Sequence, residues 1–198
     1  MDKKIKICHI TSIDFTLKFM LQNQLRFLKS QGYDVYAVCS SGKWTKDIEK
    51  QGIKIKTITI KRKMSPISDL IAFWKLFFYF RKEKFQIVHT HTLKPEFWAQ
   101  LAAKLAGVPI IVNTLHGFVF GEETSFLKRK FFIFFKKIAS KCSDLIFSIS
   151  QVIIKTTIKE KICKPNLLKY LGRDIDTNRF NAQRFSNEFI SNKKKQLG

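Results

Sequence analysis

The chain carries four histidines, His9, His89, His91 and His116, each in or directly after an apolar run of strand length. Imidazole changes its charge near neutral pH, hydrogen-bonds through either nitrogen and ligates metals. His89 and His91 stand two residues apart, so on a strand both side chains leave the same face. Two readings of that pair stay open: groups bordering a cleft, or packed histidines bonded to neighbouring backbone. The strand's end places Thr90, Thr92 and Lys94 near a ligand edge. His116 precedes Gly117, whose missing side chain lets a ligand or another backbone approach closely. A zinc site is a separate possibility, because His9 and His116 end strands that should neighbour the one bearing His89 and His91. No Cys or carboxylate stands beside them at a ligand spacing, so no metal is expected. The segment Thr11-Ser12-Ile13-Asp14 lacks the paired glycines of a phosphate cradle, but its hydroxyls and carboxylate suit a sugar, which makes Ser12 and Asp14 candidate acceptor contacts.

These residues need a scaffold that brings strand ends together. Apolar runs of strand length alternate with longer stretches of helical period, the pattern of repeated βα units around a parallel sheet. Strands are expected at 5–10, 34–39, 53–60, 86–91, 109–114, 145–150 and 168–171. A helix with apolar Phe19, Leu25 and Leu28 closes at Gly32, and a short one covers 45–51. Ser65 is a candidate N-cap with Pro66 at the first helical position, opening a helix to about Lys84. Further helices are expected over 95–106, 126–141 and 151–161. Seven strands with six helical connections indicate a doubly wound, Rossmann-like sheet, with ligands outside the carboxyl ends of the strands. Residues 1–172 read as one domain, and the polar stretch 173–198 as a linker or frayed tail.

Three segments at those strand ends carry a family resemblance: HTHTLKPEFWAQLAAKLAGVP from His89, NTLHGF from Asn113, and YLGRDIDTNRF from Tyr170. In order and spacing they resemble the N-terminal, acceptor-side domain of retaining family-four glycosyltransferases of the GT-B fold, especially those building capsule, O-antigen or other lipid-linked glycans. The resemblance covers essentially the whole chain. It implies that His116 faces the donor sugar across the cleft as the catalytic candidate. It also places His91, Thr90, Thr92, Lys94 and Gly117 beside the acceptor, together with Ser12, Asp14 and Arg62 of the basic turn Lys61-Arg62-Lys63. Gly172 and Asp176 match the hinge that leads to a second domain, with Arg173-Asp174 in place of the usual Asn-Gly turn. The resemblance further implies a metal-independent half without cofactor, with the nucleotide-sugar donor held mainly by a second domain whose Gly-rich turns and paired glutamates do not occur in this sequence. The chain is therefore expected to be inactive, or nearly so, without a donor-binding half. Such a half could come from a separate subunit, and a truncated gene or an expressed fragment would read the same way.

Composition fits this picture. Apolar residues make up 45% and aromatics 14% of the 198 residues, a globular balance. The four cysteines form no CxxC pair and read as buried, reduced thiols of a cytosolic protein. The start has only a short apolar stretch and no small-residue cleavage site, so no signal peptide is expected. Lys and Arg outnumber Asp and Glu by 37 to 15, and the net charge of +22 attracts polyanions, although A/T-rich codons for Lys, Ile and Phe account for part of it. No recognition helix, zinc finger or RNP-like strand accompanies the charge, so nucleic acid is not expected as a partner. The stretches 67–84 and 126–141 mix Phe, Trp and Leu with Lys and Arg, and they suit either ordinary helix-on-sheet packing or an anionic membrane interface. The location expected is the cytoplasm, peripheral on the cytosolic face of the plasma membrane. A non-catalytic basic domain that binds a membrane surface or another polyanion is the competing reading.

Overall fold

The computed structural model describes residues 4–61, 65–121, 123–172 and 181–197. Its strands are β1 (Lys6–Ile13), β2 (Asp34–Ser40), β3 (Lys54–Thr57), β4 (Ile87–His91), β5 (Ile110–Leu115), β6 (Leu145–Ser148) and β7 (Leu168–Tyr170). They form one sheet in the order β3-β2-β1-β4-β5-β6-β7, and every pairing is parallel. The order reverses between β1 and β4, which is where an open α/β sheet of this kind leaves a crevice beyond its strand ends. The doubly wound sheet expected from the βα alternation is the one observed.

Strand periodicity divides the core. Cys8, Ile10, Val38, Val88 and Ile111 face helices α4 (Pro66–Glu83) and α5 (Gln100–Leu105), where Leu76, Phe80 and Ala102 complete one buried cluster. The alternate positions Val35, Ala37 and Cys39 meet Leu17, Leu21 and Leu25 on the other face. These leucines belong to a continuous helical segment: α1 (Asp14–Thr16), a π-helical turn (Leu17–Leu21) and α2 (Gln22–Ser30). The remaining helices are α3 (Thr45–Glu49), α6 (Phe126–Cys142), α7 (Gln151–Lys159) and α8 (Asn187–Leu197). His9 lies between Cys8 and Ile10 in β1, so the alternation that buries those two turns its ring to the opposite face.

Three local expectations need correction. Phe19 is not on the buried face of its helix: it is 52% exposed, while Leu17 and Leu21 are buried. The wider π turn changes the angular step that a uniform helical period assumes. Ser65 does occupy the N-cap of α4, with Pro66 following, but its side chain makes no capping bond; its backbone N–H donates to Asp69 Oδ2 at 3.3 Å. The stretch after Gly172 is not all irregular, since α8 runs through NEFISNKKKQL with nearly every described position exposed.

Burial along β5 allows a direct test of the packing. Ile111 is fully buried whereas neighbouring Ile110 is 44% exposed. Ile111→Ala should cost about 2–5 kcal/mol in urea unfolding by transfer and cavity terms, and Ile110→Ala less than about 1 kcal/mol, since less apolar area leaves water there. Equal losses at the two positions would contradict the burial of Ile111 and the exposure of Ile110 at the start of the strand.

Candidate functional site

Parallel pairing of β1, β4 and β5 brings all four histidines into one cluster. His9 and His89 are direct register partners, and Thr114 of β5 pairs with His91. His9 Nδ1 lies 3.1 Å from His91 Nε2, and His91 Nδ1 lies 3.3 Å from His116 Nε2, giving a chain of ring-to-ring hydrogen bonds. His89 Nε2 bonds Thr114 Oγ1 at 2.8 Å, and its ring lies 4.1 Å from that of His91. His9, His89 and His91 are at most 5% exposed, whereas His116 is half-buried at the lip of the sheet. Gly117 beside it is exposed with φ 156°, and no heavy atom lies within 4 Å of the place a Cβ would take. Space for a ligand thus adjoins His116, and the other three rings stand beneath it. Neighbouring backbone is not what the His89 and His91 rings bond.

The other residues singled out from the sequence divide between this edge and the interior. Ser12 and Thr92 meet across the strand ends, with Ser12 N–H donating to Thr92 Oγ1 at 3.3 Å and the two hydroxyl oxygens 3.0 Å apart. Thr92 has φ 76°, a conformation costly for a β-branched residue and typical of functional strand ends. Thr90 points to the opposite face, donating to Asn113 Oδ1 at 3.0 Å and accepting from Gln100 Nε2 at 2.8 Å. Asp14 turns toward the loop after β2, where its Oδ2 accepts the Trp44 N–H at 2.7 Å. Its carboxylate lies 2.4 Å from the position of a Cβ on Gly42, so any side chain there would have to displace it. Lys94 Nζ is held by both oxygens of Asp69, at 2.6 and 2.8 Å. Gly172 is the last described residue before 173–180, with φ 76°. Arg62 and Asp176 lie outside the described residues.

Sequence reasoning did not single out the cavity of about 350 Å3 next to this edge. Leu93, Phe97, Trp98, Val119, Phe131 and Phe135 supply apolar walls. Phe97 meets Phe135 edge-to-face at 4.7 Å, which ties the turn after β4 to α6. Two ion pairs border the same cavity: Lys94 with Asp69, and Lys136 with Glu96 at 2.6 Å. The latter pair is almost wholly withdrawn from water, 2% and 8% exposed. A buried pair of this kind is retained at a desolvation cost and holds its elements in one geometry. The signal in the sequence was there in KPEFW and in the i, i+4 spacing of Phe131 and Phe135, but it needs the pairing of α6 with the turn at Pro95–Ala99 to become a cavity.

Electrostatics narrow the chemistry. Burial pushes the Cys39 thiol up to about 12 and the Cys8 thiol well above its ordinary range, so neither offers a thiolate nucleophile. Burial lowers His9 to about 4, and burial followed by repulsion from neighbouring imidazoles holds His89 and His91 well below the usual histidine range. At neutral pH the three inner rings are therefore uncharged hydrogen-bonding groups.

A doubly wound sheet with a histidine-bearing crevice at its switch point, beside an apolar cavity, is the N-terminal half of a GT-B fold. A family model described as glycosyl transferase 4-like matches residues 6–150, and the chain belongs to that family. Its similarity to the UDP-Gal:alpha-D-GlcNAc-diphosphoundecaprenol alpha-1,3-galactosyltransferase of Escherichia coli is 27% identity over 180 residues, covering 89% of this chain and 46% of that protein. The capsular polysaccharide biosynthesis glycosyltransferase CapM of Staphylococcus aureus is 30% identical over 172 residues, covering 86% of this chain and 44% of CapM. The chain thus spans about half the length of the curated relatives it matches. A glycosyltransferase structure from Rickettsia africae ESF-5 shares the fold over 98% of this chain and 50% of its own, with a TM-score of 0.72 at 17% identity.

The lowered histidines set a pH dependence of stability. An unfolded histidine takes up its proton near pH 6.5, whereas folded His9 does so only near pH 4. The unfolded chain therefore binds more protons, and stability is lost as pH falls from about 6.5 toward 4, by at most about 4 kcal/mol per pH unit if three rings act together. Urea unfolding followed from pH 7 to 5 should show the midpoint falling, ahead of any carboxylate titration. A flat midpoint over that range would contradict the burial of the three rings.

Proposed function

We propose that this domain is the acceptor-binding half of a glycosyltransferase that passes a sugar from a nucleotide sugar to a lipid-linked glycan at a membrane surface. The apolar cavity beside the sheet's ligand edge carries the reading. Its volume and aromatic walls suit the hydrocarbon next to the acceptor's diphosphate, while the glycan end reaches Ser12, Thr92 and His116 at the strand ends. The half-buried imidazole of His116 can hydrogen-bond a sugar hydroxyl or the charge that develops in the transition state. Donor and acceptor must be aligned across a closed cleft, and that alignment supplies much of the rate. The donor would be held by a second domain, on the same polypeptide or on a separate subunit, and this half is proposed to need no cofactor for the transfer itself.

The outer surface supports the membrane part of the reading. Ile67, Leu70, Ile71, Trp74 and Phe78 form an exposed stripe at helical spacing along α4, opposite its buried Ala72, Leu76 and Phe80. Near the other wall of the cavity α6 exposes Phe126, Leu127 and Phe134 among Lys128 and Lys130. Both helices therefore pack on the core with one face and leave an apolar, cation-flanked face outside, the arrangement of an interfacial helix. No helix among the described residues is long and apolar enough to cross a membrane.

Vesicle sedimentation tests the surface. Anionic vesicles should pull down the chain better than neutral ones at low salt, and Trp74→Glu with Phe78→Glu should weaken binding by at least about tenfold; a preference for neutral vesicles would contradict the proposal. For the chemistry, His116→Ala should leave the thermal midpoint nearly unchanged and reduce transfer about 100- to 1,000-fold when a donor-binding half is present. Loss of the fold in that variant would mean that His116 is a structural residue instead.

A further inference from the structure

Beneath the cleft, the inner three histidines have a feature that acceptor binding does not use. We propose that His9, His89 and His91 bind one divalent first-row cation, zinc foremost, which links β1 to β4 and sets the hydrogen-bonding direction of His116. This site stands independently of the acceptor assignment, and it runs against the metal-free expectation from sequence.

Geometry comes first. Each of the three rings offers a nitrogen, and the three atoms lie within 4.8 Å of one another in a fully buried setting. A tetrahedral site with metal–nitrogen bonds of about 2.0–2.1 Å has nitrogen–nitrogen edges of about 3.3 Å. The His9 Nδ1 to His91 Nε2 edge is already 3.1 Å, and small rotations of the rings would bring in the third. Two histidines at i, i+2 on one strand and a third on the adjacent strand converge without any distortion of the sheet, because His9 and His89 are register partners. Three imidazoles with one open position are an established zinc donor set.

Among the three rings the one hydrogen bond is that between His9 Nδ1 and His91 Nε2, which an ion on those two atoms replaces, while His9 Nε2 makes no hydrogen bond in either state. Ile7 of β1, with Val35 and Val112 of the strands flanking β1 and β4, shows what ordinary core residues in this part of the sheet are. Burial keeps the rings unprotonated at neutral pH, so their lone pairs are available without competition from protons. With nitrogen donors alone, the trio suits zinc, cobalt, nickel or copper and not magnesium or calcium, which take oxygen.

Occupancy would reach the cleft through His91. With the ion on Nε2, the proton of that ring is confined to Nδ1, which then donates to His116 Nε2 across the 3.3 Å contact. In the bare protein that contact can run in either direction, because a neutral imidazole donates from one nitrogen and accepts at the other.

The test uses the whole chain stripped with EDTA and titrated with Co2+. One equivalent should develop the visible absorption of tetrahedral cobalt, Zn2+ should displace it, and Mg2+ should not. The melting temperature should climb with added Zn2+ and continue to climb past saturation, as expected for a ligand of the native state. His9→Gln, His89→Gln and His91→Gln should each weaken binding by more than about tenfold, while His116→Ala, which removes only an outer partner, keeps the stoichiometry of one. Where a variant does not fold, ring-nitrogen NMR of the wild type decides: Zn2+ must shift His9, His89 and His91. Uptake below one equivalent, unshifted inner rings, or tetrahedral absorption retained in His89→Gln and His91→Gln would overturn the proposal.

Discussion

Parallel pairing between β1 and β4 is the constraint on which the rest of the molecule depends. These two strands are distant in sequence, and their register sets Ile7 against Ile87 and His9 against His89. Because chain order reverses across this pair, the connections that follow β1 and β4 run to opposite sides of the sheet, the arrangement that leaves a crevice beyond the strand ends. Ser12 and Thr92 meet at its edge, where the Thr92 backbone is left-handed. A different register would separate the hydroxyl pair and the histidine chain together, since every side chain on a strand moves with its backbone.

Two kinds of polar structure flank that pair, one on each face of the sheet. On the α5 side, Thr90, Asn113, Gln100 and Ser143 form a closed network in which Ser143 Oγ donates to Gln100 Oε1 at 2.6 Å. Every member named has a partner, so the network adds specificity without leaving a buried group unmade. On the opposite face, the histidines are joined to one another and to Thr114, and one ring nitrogen is left over. That contrast separates scaffold from site more clearly than burial does, since both groups lie equally deep.

The cavity adds a second level of organisation. It is bounded by α4, by the turn at Pro95–Ala99 and by α6, which meet through Asp69, Lys94, Glu96 and Lys136. Two carboxylate–ammonium pairs thus brace the walls of an otherwise aromatic space. Outside it, the same helices turn Trp74, Phe78 and Phe134 to the surface. An apolar interior continuous with an apolar exterior is unusual for a helix that only packs on a sheet.

Much of this architecture was legible in one dimension. Seven strand-length apolar runs, Pro66 at a helix start and glycines at helix ends report local preferences that neighbouring residues enforce on each other, and the observed strands follow them closely. The family resemblance was likewise carried by contiguous segments around His89 and Asn113. Other features depended on contacts between residues far apart in sequence. The π turn that leaves Phe19 outside, the diversion of Asp14 to Trp44 and of Lys94 to Asp69, and the aromatic cavity could not be read from periodicity. By itself the sequence determined which segments become strands and helices and which residues can do chemistry, because those follow from side-chain type and spacing. Only the tertiary structure decided that four dispersed histidines share one cluster and that only His116 among them reaches the open edge, because strand order and register are set by packing across the whole sheet.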